Sequence, residues 1–394
     1  MRRSIKALCN FIVTILVVIG LLYITFFTSI PNKTGNLMRQ KLEEYQSEFE
    51  EYNKEFVIND LEIEMKDYYY NHLSDDQKVI YESIANGVKK FEGEFLVRNY
   101  IAGSKEEFAN EVSEAISAFI NDHPEVFYLQ SFYSSYVVEG FNGGIGYIKL
   151  NYTEESIEAV NQKLDIIRNK IEEYLIGLDG KSEYEKELFI HDKFAETVNY
   201  IQSDDLERKY HTIEGPMIEN DGVCDGFTKS LQIIFNKCGI NSIIVLGNLE
   251  ERPHAWNLVS VDDQWYHMDV TSSRSIYTET EIVTHAYFNL NNERLIEICT
   301  LDDINKLPNV DSDEYNYYKY NDYHIGANED IKKELTRIYN ESIDKKFIEF
   351  YLEGDVSERI TEVLVSLREI DKSFINGNKL YYYNIKNAII IPKK

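Results

Sequence analysis

This 394-residue chain is poor in cysteine and in positive charge. Its four cysteines, Cys9, Cys224, Cys238 and Cys299, are too few and too scattered for a disulfide framework. No CxxC or HExxH occurs, and the eight histidines never fall at metal-ligand spacing, so no metal site is expected. Asp311, Asp313 and Glu314 imitate the start of a calcium loop, but the glycine and the closing glutamate of such a loop are missing, and the segment reads as an ordinary loop. Lysine and arginine number 41 against 68 aspartate and glutamate, a formal charge of −27. That balance repels phosphate backbones and anionic lipid surfaces and excludes nucleic acid as a partner. No block of five like charges marks an acidic tail, so the excess is a solvated surface. With 43% hydrophobic and 28% charged residues the composition is globular, and at roughly 100–200 residues per domain it allows two or three domains.

Charge is also absent from Ala7 to Ile30, an apolar run preceded by Arg2, Arg3 and Lys6. The run is long enough to cross a hydrocarbon core of about 30 Å, where the apolar region of a signal peptide spans only about 7–15 residues. No A-x-A-like cleavage site follows, and Cys9 stands before the apolar run, which speaks against lipid modification at a cleavage site. An uncleaved signal anchor over residues 7–30 is expected, with the chain single-pass in the cell membrane and its bulk extracytoplasmic. Lys33, Arg39 and Lys41 nearly balance the basic residues on the near side, so the orientation rests on the long tail that such signals export. A cleaved signal peptide would keep the export and lose the anchor.

The pattern beyond the anchor divides the chain into segments. Residues 1–30 are the cytoplasmic stub and anchor, and 31–66 an amphipathic stalk on which Met38, Leu42, Tyr45, Phe49, Tyr52 and Phe56 share one helical stripe. Residues 67–152 form an α+β unit: a helix capped by Ser74 with Gln77 as its partner, a second helix from Lys105 to Asn121, and strands at Phe127–Tyr128, Phe132–Val138 and Tyr147–Tyr152. Residues 153–308 open with helices over 154–177 and 183–199. On the second, Tyr184, Leu188, His191, Phe194 and Val198 share a face, so His191 reads as a satisfied core histidine. Residues 309–394 read as a βαββ appendage, with helices over 327–341 and from Asp355 and strands near 346–352 and 379–392. The 30 tyrosines cluster at Tyr68–Tyr70, Tyr315–Tyr320 and Tyr381–Tyr383, but no spacing among them specifies a glycan platform. Tyrosine also fits half-buried strands.

The chemistry concentrates between Asp221 and Ser273. Gly222 and Gly226 bracket Cys224, and Phe227, Leu231, Ile234 and Phe235 then repeat at helical spacing, which sets Cys224 in the first turn of a helix. A helix N-terminus carries roughly half a positive charge, and with a neighbouring histidine it brings a thiol from about 8.5 down to the range of roughly 3.5–7.5. His254 begins a strand-like run, Asp269 ends the next, and Asp262-Asp263 forms the hairpin turn between them. A carboxylate there can fix the tautomer of an imidazole whose other nitrogen faces the thiol. The reaction these residues suit is acyl transfer, with Cys224 attacking an amide carbonyl, His254 protonating the leaving amine, and helix-terminal N–H groups as the oxyanion hole. No upstream glutamine or tryptophan presents itself for that hole. Asp225 adds a negative charge beside the thiol, which opposes thiolate formation, and it is also a candidate supporting or substrate-facing residue. His267 shares a strand face with Asp269 and is a candidate supporting residue, as is Trp256 in the substrate path, although Trp256 and Trp265 also suit a hairpin core. Cys238 and Cys299 read as buried thiols.

Gly-Val-Cys224-Asp-Gly-Phe, His254-Ala-Trp-Asn and Trp-Tyr-His-Met-Asp269-Val-Thr stand in the order and spacing of the transglutaminase-like superfamily, which the chain resembles over about 184–295 and more loosely back to about 74. Tyr-His-Thr-Ile-Glu-Gly at 210–215, Tyr287-Phe-Asn-Leu and Asp122-His-Pro-Glu-Val-Phe127 also look like that family. The resemblance implies an α+β fold with a papain-like core, a Cys-bearing helix on an antiparallel sheet that carries His and Asp, with Cys224, His254 and Asp269 as the triad. It implies an extracytoplasmic cysteine enzyme forming a thioester with a protein or peptide amide, cell-wall peptide included, as peptidase, amidase or cross-linking enzyme. No cofactor is implied, and calcium, which activates some transglutaminases, finds no recognisable loop. The alternative is a non-catalytic surface scaffold on the same fold. An arylamine acetyltransferase shares the triad but fits an exported chain badly, because acetyl-CoA is cytoplasmic.

Overall fold

The computed structural model describes residues 58–393 apart from positions 62, 64–66, 99, 101–102, 141–142, 203–206, 250, 275–281, 297–298, 303–305, 373–382 and 386. The chain divides into two units, Met1–Ile58 and Asn59–Lys394, and every element below belongs to the second. The expected anchor over 7–30 and the Met38–Phe56 stripe lie outside the described residues. Among the described residues no helix is long and apolar enough to cross a membrane.

Ser74 caps helix α1 (Asp75–Lys89): its hydroxyl accepts from Gln77 N while the Gln77 side chain accepts from Ser74 N, the reciprocal pair that the Ser-Asp-Asp-Gln run predicts. After β1 (Glu94–Leu96) comes α2 (Lys105–Asp122), whose last residue, Asp122, accepts from the Tyr69 and Tyr70 N–H groups and the Tyr81 hydroxyl and so ties the chain before α1 to the end of α2. Strands β2 (Ser134–Gly140) and β3 (Gly143–Lys149) pair antiparallel, and β1 adds to the free edge of β3. One expectation fails here, and one strand escapes the sequence reading. Phe127–Tyr128 is a buried turn rather than a strand, because its carbonyls are satisfied by Arg208 and by Thr153 N instead of a ladder. β1 is too short to announce itself by alternation.

Helices α3 (Ile157–Leu175) and α4 (Glu183–Thr197) follow, each capped by a serine, Ser156 and Ser182. α4 stops before 199 because Asn199 and Tyr200 leave it as β4 (Asn199–Tyr200), which pairs in parallel with β5 (Asp221–Gly222). Helix α5 (Cys224–Lys237) starts directly after β5. It buries Phe227, Leu231, Ile234 and Phe235 and packs on an antiparallel sheet of β6 (Ser242–Leu249), β7 (Arg252–Val261) and β8 (Gln264–Met268). Short helices α6 (Val270–Ser273) and α7 (Asn292–Ile296) lead to β9 (Cys299–Leu301), which completes the order β8-β7-β6-β9. Cys299 is buried as expected, but Cys238 is half-exposed: it stands at the C-cap of α5, where its thiol donates to Phe235 O.

The remaining elements are α8 (Tyr317–Tyr320), β10 (His324–Ile325), α9 (Ile331–Glu341), β11 (Phe347–Leu352), α10 (Val356–Ile370), β12 (Tyr383–Ile385) and β13 (Ala388–Pro392). They build a second sheet in the order β10-β11-β13-β12, with Leu335, Ile338, Val363 and Leu367 of the helices packed on Ile348, Phe350, Ile389 and Ile391 of the strands. The parallel strand β10 is an addition to the expected βαββ pattern. α9 begins at 331 rather than 327, because Asp330 accepts from Lys333 N and caps it there.

Candidate functional site

Val223 occupies the N-cap of α5 and has no side chain that could satisfy the helix's first N–H groups. Cys224 is the first helical residue and is half-exposed. Its thiol therefore sits where uncapped N–H groups and the positive helix end converge. The turn is held from outside by the 210–215 segment: Val223 N donates to Tyr210 O, and the Lys229 ammonium to His211 O. Gly226 lies so close to that segment that a Cβ would stand 2.4 Å from Tyr210 O and 3.0 Å from Thr212 O, which is why glycine follows the nucleophile's neighbour.

The hairpin delivers the other two residues. Asp262 and Asp263 both have positive φ, 47° and 62°, as a two-residue turn of the twist-matched type requires, and the turn sets Asn257 opposite Met268. His254 and Trp256 lie on one face of β7. His254 pairs across the sheet with Gly247, where a Cβ would strike Thr300 O and the Trp256 ring. His254 Nε2 lies 2.7 Å from Asp269 Oδ2, with side-chain exposures of 9% and 7%. Cys224 lies close enough to the same ring to raise its pKa, so Cys224, His254 and Asp269 are gathered at one place. Asp269 is itself held: it caps α6 by accepting from Ser272 N and the Ser272 hydroxyl, and its own N–H donates to Tyr287 O.

The electrostatics follow from that geometry. Burial works against an imidazolium at His254, but the Asp269 carboxylate, and after it the neighbouring Cys224, outweigh it and push its pKa up to about 10. Burial likewise opposes the charge on Asp269, and His254 and Ser272 hold it below the ordinary carboxylate range. Asp225 has partners that its sequence position does not show. Its carboxylate accepts from His211 Nδ1 at 3.2 Å and faces Lys229, and these partners overcome burial to hold its pKa low, so much of its charge is spent on them rather than on the thiol.

Trp256 is buried at 1% exposure, in the apolar cluster with Ile243, Val245 and Leu258, so it packs rather than faces a substrate path. Its ring stacks on His254 with centroids 5.9 Å apart, and its Nε1–H donates to His267 Nδ1 at 3.0 Å. His267 passes its own Nε2–H to Asn292 Oδ1, and burial drives its pKa down to about 4, which fixes it as a neutral ring supporting the tryptophan. Trp265 is half-buried at the edge of the same cluster.

Residues without a sequence signal also gather near the thiol. Tyr200, paired with Gly222, has its hydroxyl held protonated by burial first and then by the charges of Cys224, Asp269 and Asp225. It is the half-buried hydroxyl beside the set that spacing alone did not reveal. Farther back, His191, Asp192 and His285 bring three potential ligand atoms within 4.8 Å of one another, although 93 residues separate Asp192 from His285. His191 is buried as read, but it is not fully satisfied: Nδ1 meets Asp192, and Nε2 has no partner.

Residues 174–270 match the model of the transglutaminase-like superfamily. No curated protein matches the sequence. Among solved structures, a TGase is similar at 18% identity over 37% of this chain and 45% of its own, with a TM-score of 0.28. A candidate cysteine protease from Cytophaga hutchinsonii follows at 14% identity over 36% of this chain and 66% of its own, with a TM-score of 0.24. A candidate protease from Parabacteroides distasonis shows 14% identity over 39% and 42%, with a TM-score of 0.22. The chain thus spans less than two thirds of each of these proteins. The segment that is similar to the transglutaminase-like superfamily contains both the Cys224 turn and the hairpin of His254 and Asp269.

Proposed function

We propose that the protein is a cysteine acyl-transfer enzyme acting on protein or peptide amides, with Cys224 as nucleophile, His254 as acid and base, and Asp269 orienting the histidine. The observation that carries this reading is the 2.7 Å pairing of His254 Nε2 with Asp269, beside a Cys224 thiol that opens an uncapped helix end and acts electrostatically on the same ring. The Cys224 thiolate adds to the amide carbonyl, the oxyanion forms near the first N–H groups of α5, and the imidazolium gives its proton to the departing amine as the C–N bond breaks. A thioester remains. Water or a lysine-type amine then adds to it, the histidine takes the incoming proton, and the C–S bond breaks to restore the thiolate. Cys224 is half-exposed, which admits water and favours hydrolysis over transfer. The apolar run 7–30 supports placing this chemistry outside the cytoplasm on a membrane anchor.

The test is to incubate the full-length protein with glutamine-containing and mixed peptide pools and to trap the acyl group with hydroxylamine. Hydroxamates that disappear in Cys224→Ala support the reading, and the ratio of hydroxamate to free acid reports transfer against hydrolysis. If no peptide pool acylates Cys224, the non-catalytic scaffold is the better account.

A further inference from the structure

Behind the site, His285 joins three parts of the fold. Its Nε2 lies 2.9 Å from Asp192 Oδ1 on α4, and its Nδ1 lies 2.5 Å from Glu349 Oε1 on β11 of the C-terminal sheet. The His285 backbone N–H and the Tyr318 hydroxyl both donate to Glu349 Oε2, at 3.1 Å each. The Tyr317 ring lies flat against the imidazole, with centroids 3.7 Å apart and planes 10° from parallel. Lys345 adds positive charge beside Glu349.

The protons of this cluster can be placed one by one. His285 donates from both ring nitrogens to carboxylates and is therefore an imidazolium; burial opposes this, but Glu349 and Asp192 overcome it and push its pKa up to about 9. His191 donates through Nδ1 to the same Asp192 oxygen and keeps Nε2 bare; burial holds it neutral. Every N–H of the cluster has an acceptor without any further ion.

The cluster reaches the proposed triad through backbone. His285 O accepts from Phe288 N, closing a turn that contains Tyr287, and Tyr287 O is the acceptor for Asp269 N. On the other side of His285, Thr284 N donates to Ser273 O, at the end of the helix that Asp269 caps. Fixing the ring of His285 thus fixes the two backbone contacts that hold the Asp269 turn.

We propose that His285, clamped between Asp192 and Glu349, is a positioning residue for Asp269, and that the C-terminal sheet contributes to the catalytic apparatus through Glu349. The inference rests on the reading of Cys224, His254 and Asp269 as a triad. It assigns work to residues 309–394, which the superfamily match does not cover.

The test uses the full-length protein and the pH profile of Cys224 alkylation, which needs no substrate. Glu349→Gln is nearly isosteric, and Asp192→Asn, at a half-exposed side chain, is a second variant in case the first does not fold; thermal unfolding checks both. Each is expected to unfold cooperatively while its labelling profile moves upward by about one pH unit, roughly tenfold slower labelling at pH 6, in the direction of Asp269→Asn. Lys332→Ala, on the outer face of the C-terminal unit, leaves the profile unchanged. If Asp269→Asn shifts the profile while folded Glu349→Gln and Asp192→Asn keep that of the wild type, the positioning role is wrong and the triad stands. If Asp269→Asn itself has no effect, the triad reading fails first. Loss of the wild-type profile on chelation, restored by zinc, would assign the His191, Asp192 and His285 atoms to a metal and overturn the ion-pair account.

Discussion

His254 and Asp269 meet at 2.7 Å although they are not opposite one another in the sheet. The last ladder pair on their side of the hairpin is Asn257 with Met268, so Asp269 lies beyond the end of β8 and reaches diagonally past Trp256 to the imidazole. The contact depends on the turn that α6 imposes after the strand, with Ser272 holding both carboxylate oxygens of Asp269.

That pairing makes stability depend on pH in a defined direction. His254 has a folded pKa of about 10, above its ordinary value of 6.5, so the stability it contributes is complete below about pH 6.5 and disappears as pH rises through about 10. Asp269 is depressed, so its share is present above its unfolded value near 4 and is lost as pH falls through its lower folded value. Urea unfolding of wild type and His254→Ala is expected to differ most between about pH 5 and 7 and to converge toward pH 10. A difference that stays constant across that range would show that the ion pair does not form.

His267 behaves in the opposite sense. Its folded pKa is held near 4, below 6.5, so the protein loses stability as pH falls from about 6.5 to about 4, and the loss is smaller in His267→Asn. Trp256→Phe removes the donor to His267 Nδ1 and leaves that buried atom unpaired, at a cost of about 1–3 kcal/mol, measured by denaturant unfolding at pH 7. Because the ring also stacks on His254, Cys224 labelling is expected to slow in the same variant. An unchanged labelling rate would limit Trp256 to packing.

What the sequence made legible is local. The glycine-bracketed start of α5, the hairpin turn at Asp262-Asp263 and the cap at Ser74 follow from neighbouring residues. What escaped is long-range. The partners of Asp225, the approach of Tyr200 through a two-residue parallel bridge, and the link from Asp192 through His285 to Glu349 join residues that no periodicity connects. The Phe127–Tyr128 run shows the converse: an apolar pair looks like a strand until the carbonyls find Arg208 and Thr153 instead.

Asp225 gives a prediction of unexpected sign. With the Asp225 charge removed, the positive charge of Lys229 is less offset near Cys224, and alkylation of Asp225→Asn at pH 6 is expected to speed up by as much as about tenfold. A marked slowing would instead make Asp225 a working part of the site.

Gly226→Ala tests how tightly the 210–215 segment holds the nucleophile. The added Cβ meets backbone oxygens rather than a flexible side chain, so the segment or the helix must move. The expected cost is about 1–3 kcal/mol, with faster proteolysis around 210–215. A variant as stable as wild type would mean that the segment packs loosely on α5.

The central claim is that Cys224 is the nucleophile and that His254 activates it. The direct measurement is the rate of Cys224 alkylation against pH, read by mass spectrometry in the full-length protein beside His254→Ala. The account predicts labelling that stays fast down to about pH 6 in the wild type and slows in the variant. Labelling that begins only above about pH 8, and at the same rate in both proteins, would contradict it.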